Sequence, residues 1–129
     1  MESSPESDNK LAITAEALYL INLMLAPGIA FVILLVLYVK HSRTSSALAQ
    51  CHLKQTLFAS LWAGVLIVLV NAVILLFGGY DQAWTWVVLI IYFITIHATL
   101  ILLGVLGLSN AIAGKHYHFP FIGVKCHAA

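Results

Sequence analysis

The charged residues of this chain are few and widely separated. Of its 129 residues, six are Lys or Arg and five are Asp or Glu. The three longest stretches without any of these four residue types are 17–39, 55–80 and 82–114. Each is longer than the roughly 20 apolar residues with which a helix crosses a ~30 Å hydrocarbon layer, and none is long enough for two crossings. The spacing therefore predicts an all-α membrane protein with three transmembrane helices, over about 17–39, 56–77 and 84–108.

Composition excludes several classes of protein. Apolar residues make up 62% of the chain and charged residues 9%, whereas an ordinary soluble domain is about one quarter charged. A soluble enzyme of this size could not cover its surface with so few charges. A net charge of +1 also excludes a nucleic-acid binder, which needs a strongly basic surface.

The polar stretches predict how the chain is organised around these spans. Residues 1–16 read as a disordered acidic N-terminal tail, and residues 17–129 as a single three-helix transmembrane domain. Good helix formers over 47–55 predict a short interfacial helix before the second span. Gly78 and Gly79 predict a tight turn between the second and third spans. Pro27 predicts a static kink in the first span, with a functional hinge as the alternative.

The basic residues predict an orientation. Five of them fall in the first loop or the C-terminal tail: Lys40, Arg43, Lys54, Lys115 and Lys125. Only Lys10 precedes the first span. Because basic residues are enriched on the cytoplasmic side, we expect an inner (cytoplasmic) membrane protein with its N-terminus outside and its C-terminal tail, at the interface, inside.

His97 is the one ionisable residue predicted at membrane depth, where such residues are costly and are candidates for function. Gly64 and Ala30 are predicted at the same depth, so an imidazole has room between helices. On its own helix, His97 shares a stripe with mostly small residues: Leu100, Gly104, Gly107 and Ala111. Two interpretations stay open, a hydrogen-bonded structural histidine and a cofactor-binding residue for haem, a metal or a proton relay.

A second group of residues has the chemistry of metal ligands. Both cysteines and several histidines are predicted on the inner side: Cys51, His52, His116, His118, Cys126 and His127. Thiolate and imidazole together suit zinc or copper. The sequence has no CxxC or HxxxH spacing, however, so interfacial polar residues are the alternative. A disulfide is not expected on a reducing side.

No catalytic set is recognisable. The sequence has no Ser/His/Asp grouping, no phosphate-binding glycine loop and no paired intramembrane carboxylates. We therefore do not expect an enzyme.

Two stretches, 49–58 and 110–123, carry a family resemblance. The first contains His52 and Gln55; the second contains Asn110, Gly114, Lys115, Tyr117 and Pro120. With these residues the chain resembles a family of small bacterial three-helix membrane proteins of unknown function, distantly similar to the channel subunit of the chloroplast inner-envelope protein translocon. His116 and His118 depart from the family pattern, which more often has Tyr and Arg there.

The same seven residues have a physical interpretation. Gly114 suits the end of the third helix, and Lys115 suits the negative helix end and an anionic leaflet. The tail would then fold back onto the start of the second span. We therefore predict a structural clasp formed by His52, Gln55, Asn110, Gly114, Lys115, Tyr117 and Pro120.

Three functions follow as hypotheses. The first is a non-enzymatic accessory or scaffolding subunit of a larger membrane protein complex, whose partners are membrane lipids and other subunits or further copies of itself. The second is a subunit that binds haem, a metal or a quinone in a membrane redox complex through His97 or the inner histidines. The third, implied by the resemblance, is a component of protein translocation or insertion.

Overall fold

A computed structural model describes residues 5–41, 43 and 46–115 of the chain. Every regular element in these residues is helical, which confirms the all-α prediction. The α-helices are α1 (Pro5–Met24), α2 (Ile29–His41), α3 (Ala47–Gly64), α4 (Val70–Gly78) and α5 (Ala83–Ile112), and a π-helical turn (Val65–Leu69) joins α3 to α4.

Two helices are long and apolar enough to cross a membrane, by length and composition. One is the continuous run Ala47–Gly78, which comprises α3, the π-helical turn and α4, and the other is α5. The predicted second and third spans lie inside these helices. The predicted interfacial helix is not a separate element, because α3 begins where the Ser46 side chain accepts the Ala49 N–H and then continues without a break.

The prediction of one continuous helix over 17–39 is wrong. α1 ends at Met24 and the chain reverses before α2 begins at Ile29. Gly28 has a φ of 89°, a conformation that favours glycine, and its N–H donates to the Asn22 side chain at 3.0 Å. The expected kink at Pro27 is therefore a complete turn, and a third transmembrane helix is not confirmed.

The prediction of a disordered tail over 1–16 is also wrong for the residues described. α1 already begins at Pro5. Its Ala12, Ala15, Glu16 and Tyr19 recur at helical spacing and are fully buried, because this face packs against both α3 and α5. The acidic composition of these residues did not predict α1, because this helix is stabilised by tertiary packing.

The start of α1 lies beside the start of α3 and the end of α5. The Asp8 carboxylate accepts the Ser46 N–H at 3.4 Å, and the Asn9 side chain lies next to Gly114. This end of the molecule, here called the basic end, carries the Lys and Arg residues among those described: Lys10, Lys40, Arg43, Lys54 and Lys115. The start of α1 and the loop before α3 therefore lie at the same end of the described structure, since the turn before α2 adds a reversal that the three-span prediction lacked. The orientation across a membrane stays a prediction.

The α1–α2 hairpin reaches only about halfway along the two long helices. Leu34 of α2 packs with Ala15 of α1 and Leu53 of α3 in one buried cluster. The tip of the hairpin, Pro27 and Gly28, borders the same groove as Gly64 and His97. Four helices therefore pack together at the basic end, and a two-helix hairpin continues beyond the tip.

Candidate functional site

A buried carboxyl–imidazole pair joins α1 to α3 near the basic end. Glu16 and His52 are both fully buried. His52 Nδ1 lies 2.6 Å from Glu16 Oε1, and His52 Nε2 lies 2.9 Å from the backbone carbonyl oxygen of Lys115. Both ring nitrogens of His52 are therefore engaged.

This geometry fixes one proton and leaves a second one shared. A carbonyl oxygen can only accept, so Nε2 carries a hydrogen and donates it to Lys115. The hydrogen between Nδ1 and Oε1 can belong to either group, giving an imidazolium–carboxylate pair or a neutral pair. Burial raises the pKa of the Glu16 carboxyl, and the hydrogen bond and charge of His52 oppose that rise. The pair can thus move one proton internally without a change in its net charge.

Glycines on α5 provide the space for the side chains of α1. A Cβ added at Gly107 would lie 2.5 Å from Glu16 Oε2, and one added at Gly104 would lie 2.6 Å from the Tyr19 ring. The Tyr19 hydroxyl donates to the Leu100 carbonyl at 3.1 Å. The small-residue stripe predicted on α5 is thus the surface that receives α1, because close backbone approach requires small residues.

The end of α5 presents the carbonyl that His52 binds. Gly114 has a φ of 69°, the Lys115 N–H donates to the Asn110 carbonyl at 2.8 Å, and the Gly114 N–H donates to the Ala111 carbonyl at 3.1 Å. This pair of bonds is a Schellman cap, which needs a residue that tolerates a left-handed conformation. The cap turns the chain so that Lys115 reaches α3.

The predicted clasp is described only in part. The structure brings His52 to Lys115 and places Gly114 and Asn110 in the cap, whereas Gln55 is fully buried on α3. Tyr117 and Pro120 lie outside the described residues, so the clasp as a set stays a prediction. His52 also contacts Glu16, which the sequence analysis had placed in the N-terminal tail on the opposite side.

The predicted metal site also stays a prediction. Cys51 is disulfide-bonded, contrary to the expectation of reduced thiols, and His52 uses both ring nitrogens. The other four candidates lie outside the described residues: His116, His118, Cys126 and His127. Within the described ranges, no three His, Cys, Asp or Glu side chains come close enough to share a metal ion.

His97 borders a groove of about 540 Å³ at the tip of the α1–α2 hairpin. The predicted neighbour Gly64 borders it too, whereas Ala30 is buried elsewhere on α2. The His97 ring stacks on Phe93, with centroids 5.2 Å apart and planes 14° from parallel. Its Nδ1 is buried and has no hydrogen-bond partner among the described residues.

The π-helical turn forms part of the same wall, through Ile67 and Val68. A π-helical turn displaces backbone carbonyls from their usual partners. Here the Tyr92 hydroxyl of α5 donates to the Leu66 carbonyl at 2.8 Å, and the Asn71 amide donates to the Ile67 carbonyl. These side chains stabilise a distortion that hydrophobic periodicity does not reveal.

Sequence reasoning missed Glu16, Tyr19 and Ser60 as members of these sites. A signal for the first two existed, because Ala12, Ala15, Glu16 and Tyr19 recur at helical spacing along α1. Ser60 carried no signal beyond being a polar residue within an apolar span.

No family model, no curated protein and no solved structure matches the chain. The resemblance to the small three-helix membrane proteins therefore stays a prediction, and the translocation role that it implies stays one with it.

Proposed function

We propose that this chain is a non-enzymatic integral membrane protein that acts as an accessory or scaffolding subunit of a larger membrane protein complex. The observation that carries the proposal is the exposure of its two long helices. Only 11% of the most apolar 18-residue window of each helix is buried within the molecule. Surfaces that are apolar all round can contact lipid and partner helices alike.

The two-helix hairpin beyond the tip of α1–α2 supports the proposal most directly. Leu76 is 81% exposed and Phe77 is 89% exposed, and neither α1 nor α2 reaches this region. A membrane holds such a hairpin in place, and neighbouring helices can cover it without displacing any internal contact.

Two features bear on which way the molecule faces. The basic end carries the described Lys and Arg residues, and this bias favours the cytoplasmic side. The disulfide at Cys51 lies near the same end and is more typical of oxidising compartments. We propose that the basic end is cytoplasmic, because five basic residues set the bias and Cys51, 3% exposed, is shielded from thiol reductants.

Photo-crosslinking in native membranes tests the scaffolding role. A photoreactive amino acid at Phe77 should yield adducts with another protein chain, whereas the same amino acid at Leu100, which is 3% exposed, should yield only intrachain adducts. Extraction in native lipid discs should give a particle larger than one chain. A monomeric particle with only lipid adducts at Phe77 would contradict the proposal.

A further inference from the structure

The groove beside His97 is built like a site for a small molecule. Its volume of about 540 Å³ lies within the range of roughly 300–1,000 Å³ typical of ligand pockets. Its walls combine aromatic rings with positions that lack bulk: Phe31, Phe93, His97, Gly28, Ala63 and Gly64. It lies halfway along the two long helices, so a ligand would reach it from the hydrocarbon layer.

Two polar atoms of this apolar groove have no partner among the residues described. Ser60, 4% exposed, has an unpaired hydroxyl, and the Nδ1 of His97 is also unpaired. A buried polar atom left unpaired is energetically unfavourable. One turn earlier on α3, the Thr56 hydroxyl avoids this cost by donating to the His52 carbonyl at 2.7 Å. Ser60 makes no such bond, although the same helical geometry offers one.

The chemistry of the two atoms indicates which ligand groups could form hydrogen bonds with them. A buried Nδ1 without an acceptor nearby is best left as a lone pair, which accepts a hydrogen bond from a ligand hydroxyl. The Ser60 hydroxyl can donate to a ligand oxygen. The flat stack of Phe93 on His97 offers a face for a planar ring, since aromatic rings prefer stacked or edge-on partners.

We propose that this groove binds the ring of a lipid-soluble quinol. Ring oxygens pair with Ser60 and His97, the ring lies against Phe93, and the apolar tail leaves the groove along the exposed helix surface. The proposal concerns binding only and is independent of the scaffolding role.

Binding can be measured on the full-length protein in lipid nanodiscs, with a benzoquinol that carries a ten-carbon tail as the probe. Isothermal titration, with empty nanodiscs as the reference for partitioning, should show saturable binding of one probe per chain. Gly64→Leu should weaken binding at least tenfold, because a Cβ at Gly64 meets no atom within 4 Å and the larger side chain extends into open space. Ser60→Ala and His97→Leu should each weaken it about tenfold, the effect of one lost hydrogen bond of ~1.4 kcal/mol.

Matched controls separate the groove from the rest of the surface. Ala98→Leu and Ser109→Ala change exposed positions on α5 that do not border the groove, and both should bind as the unaltered chain does. Three results would overturn the proposal: uptake no greater than in empty nanodiscs, equal binding by Gly64→Leu, or equal competition by decanol, which has a tail but no ring. A Soret band in the purified protein, lost in His97→Leu, would assign the groove to haem instead.

Discussion

At the scale of single residues, the pair of Glu16 and His52 could not be predicted from the sequence. The two residues are 36 positions apart, and only the reversal of the chain before α2 brings α1 alongside α3. His97 was easier to identify, because an ionisable residue within a long uncharged stretch is conspicuous by itself. The sequence thus reveals isolated polar residues in apolar helices more readily than polar residues that tertiary packing brings together.

The raised pKa of Glu16 predicts the sign of a pH effect on stability. The unfolded carboxyl loses its proton near its ordinary pKa of 4.5, whereas the folded one keeps it to higher pH. The folded state therefore binds more protons in that interval, so the contribution of Glu16 to stability is fully present below pH 4.5 and is lost as pH rises through the folded pKa.

We expect Glu16→Gln to remove this contribution, because glutamine keeps the shape of the side chain and does not titrate. Thermal unfolding of both proteins in detergent, at several values between pH 4.5 and 7.5, checks the prediction. The difference in their free energy of unfolding should change by ~1.4 kcal/mol for each pKa unit by which folding raises the Glu16 pKa. The informative quantity is the difference between the two proteins at each pH. Parallel curves would show that Glu16 does not titrate differently on folding.

At the scale of elements, the helices α3 to α5 could be predicted from the spacing of charges, and the turn before α5 could be predicted from its glycines. The separation of α1 from α2 could not be predicted, because the reversal at 25–28 depends on one backbone conformation at Gly28 and on the Asn22 side chain. Apolar content is the same whether a stretch crosses a membrane or folds back within it. The prediction for residues 17–39 is therefore right about their helical structure and wrong about their topology.

The packing of α1 against α5 predicts different outcomes for two glycines. Gly107→Ala should destabilise the fold by about 1–3 kcal/mol, the usual cost of overpacking, because its Cβ would meet the Glu16 carboxylate at 2.5 Å. Gly64→Ala should be neutral or stabilising by up to ~1 kcal/mol, since it meets nothing and alanine favours a helix. Unfolding followed in mild detergent measures both, and equal effects would contradict the close contact of α1 with α5.

The turn between α1 and α2 predicts a third outcome. Gly28, like Gly64, leaves room for a Cβ, but only Gly28 has a positive φ. Gly28→Ala should therefore cost about 1–3 kcal/mol through backbone strain alone. The comparison with Gly64→Ala in the same assay isolates that strain, and a neutral effect would mean that residues 25–28 do not form this turn.

At the scale of the whole molecule, the structure predicts which segments share a side of the membrane. Ser7→Cys and Arg43→Cys, each made in a chain with Cys51 and Cys126 replaced by alanine, should react with an impermeant maleimide from the same side. Asp81→Cys should react only from the opposite side. Three complete crossings would instead place Ser7 opposite Arg43, so labelling in sealed vesicles of known orientation distinguishes the two topologies.

In the membrane placement proposed above, the short α1–α2 hairpin has a consequence for the surrounding lipids. A helix with its side chains is about 10 Å across, so two additional helices at the basic end occupy on the order of 150 Å² more of one leaflet than of the other. Seen from the side, the described residues form a wedge with its broad base at the basic end. In a bilayer, many copies with the same orientation would expand one leaflet relative to the other and favour membrane that bends away from the broad base.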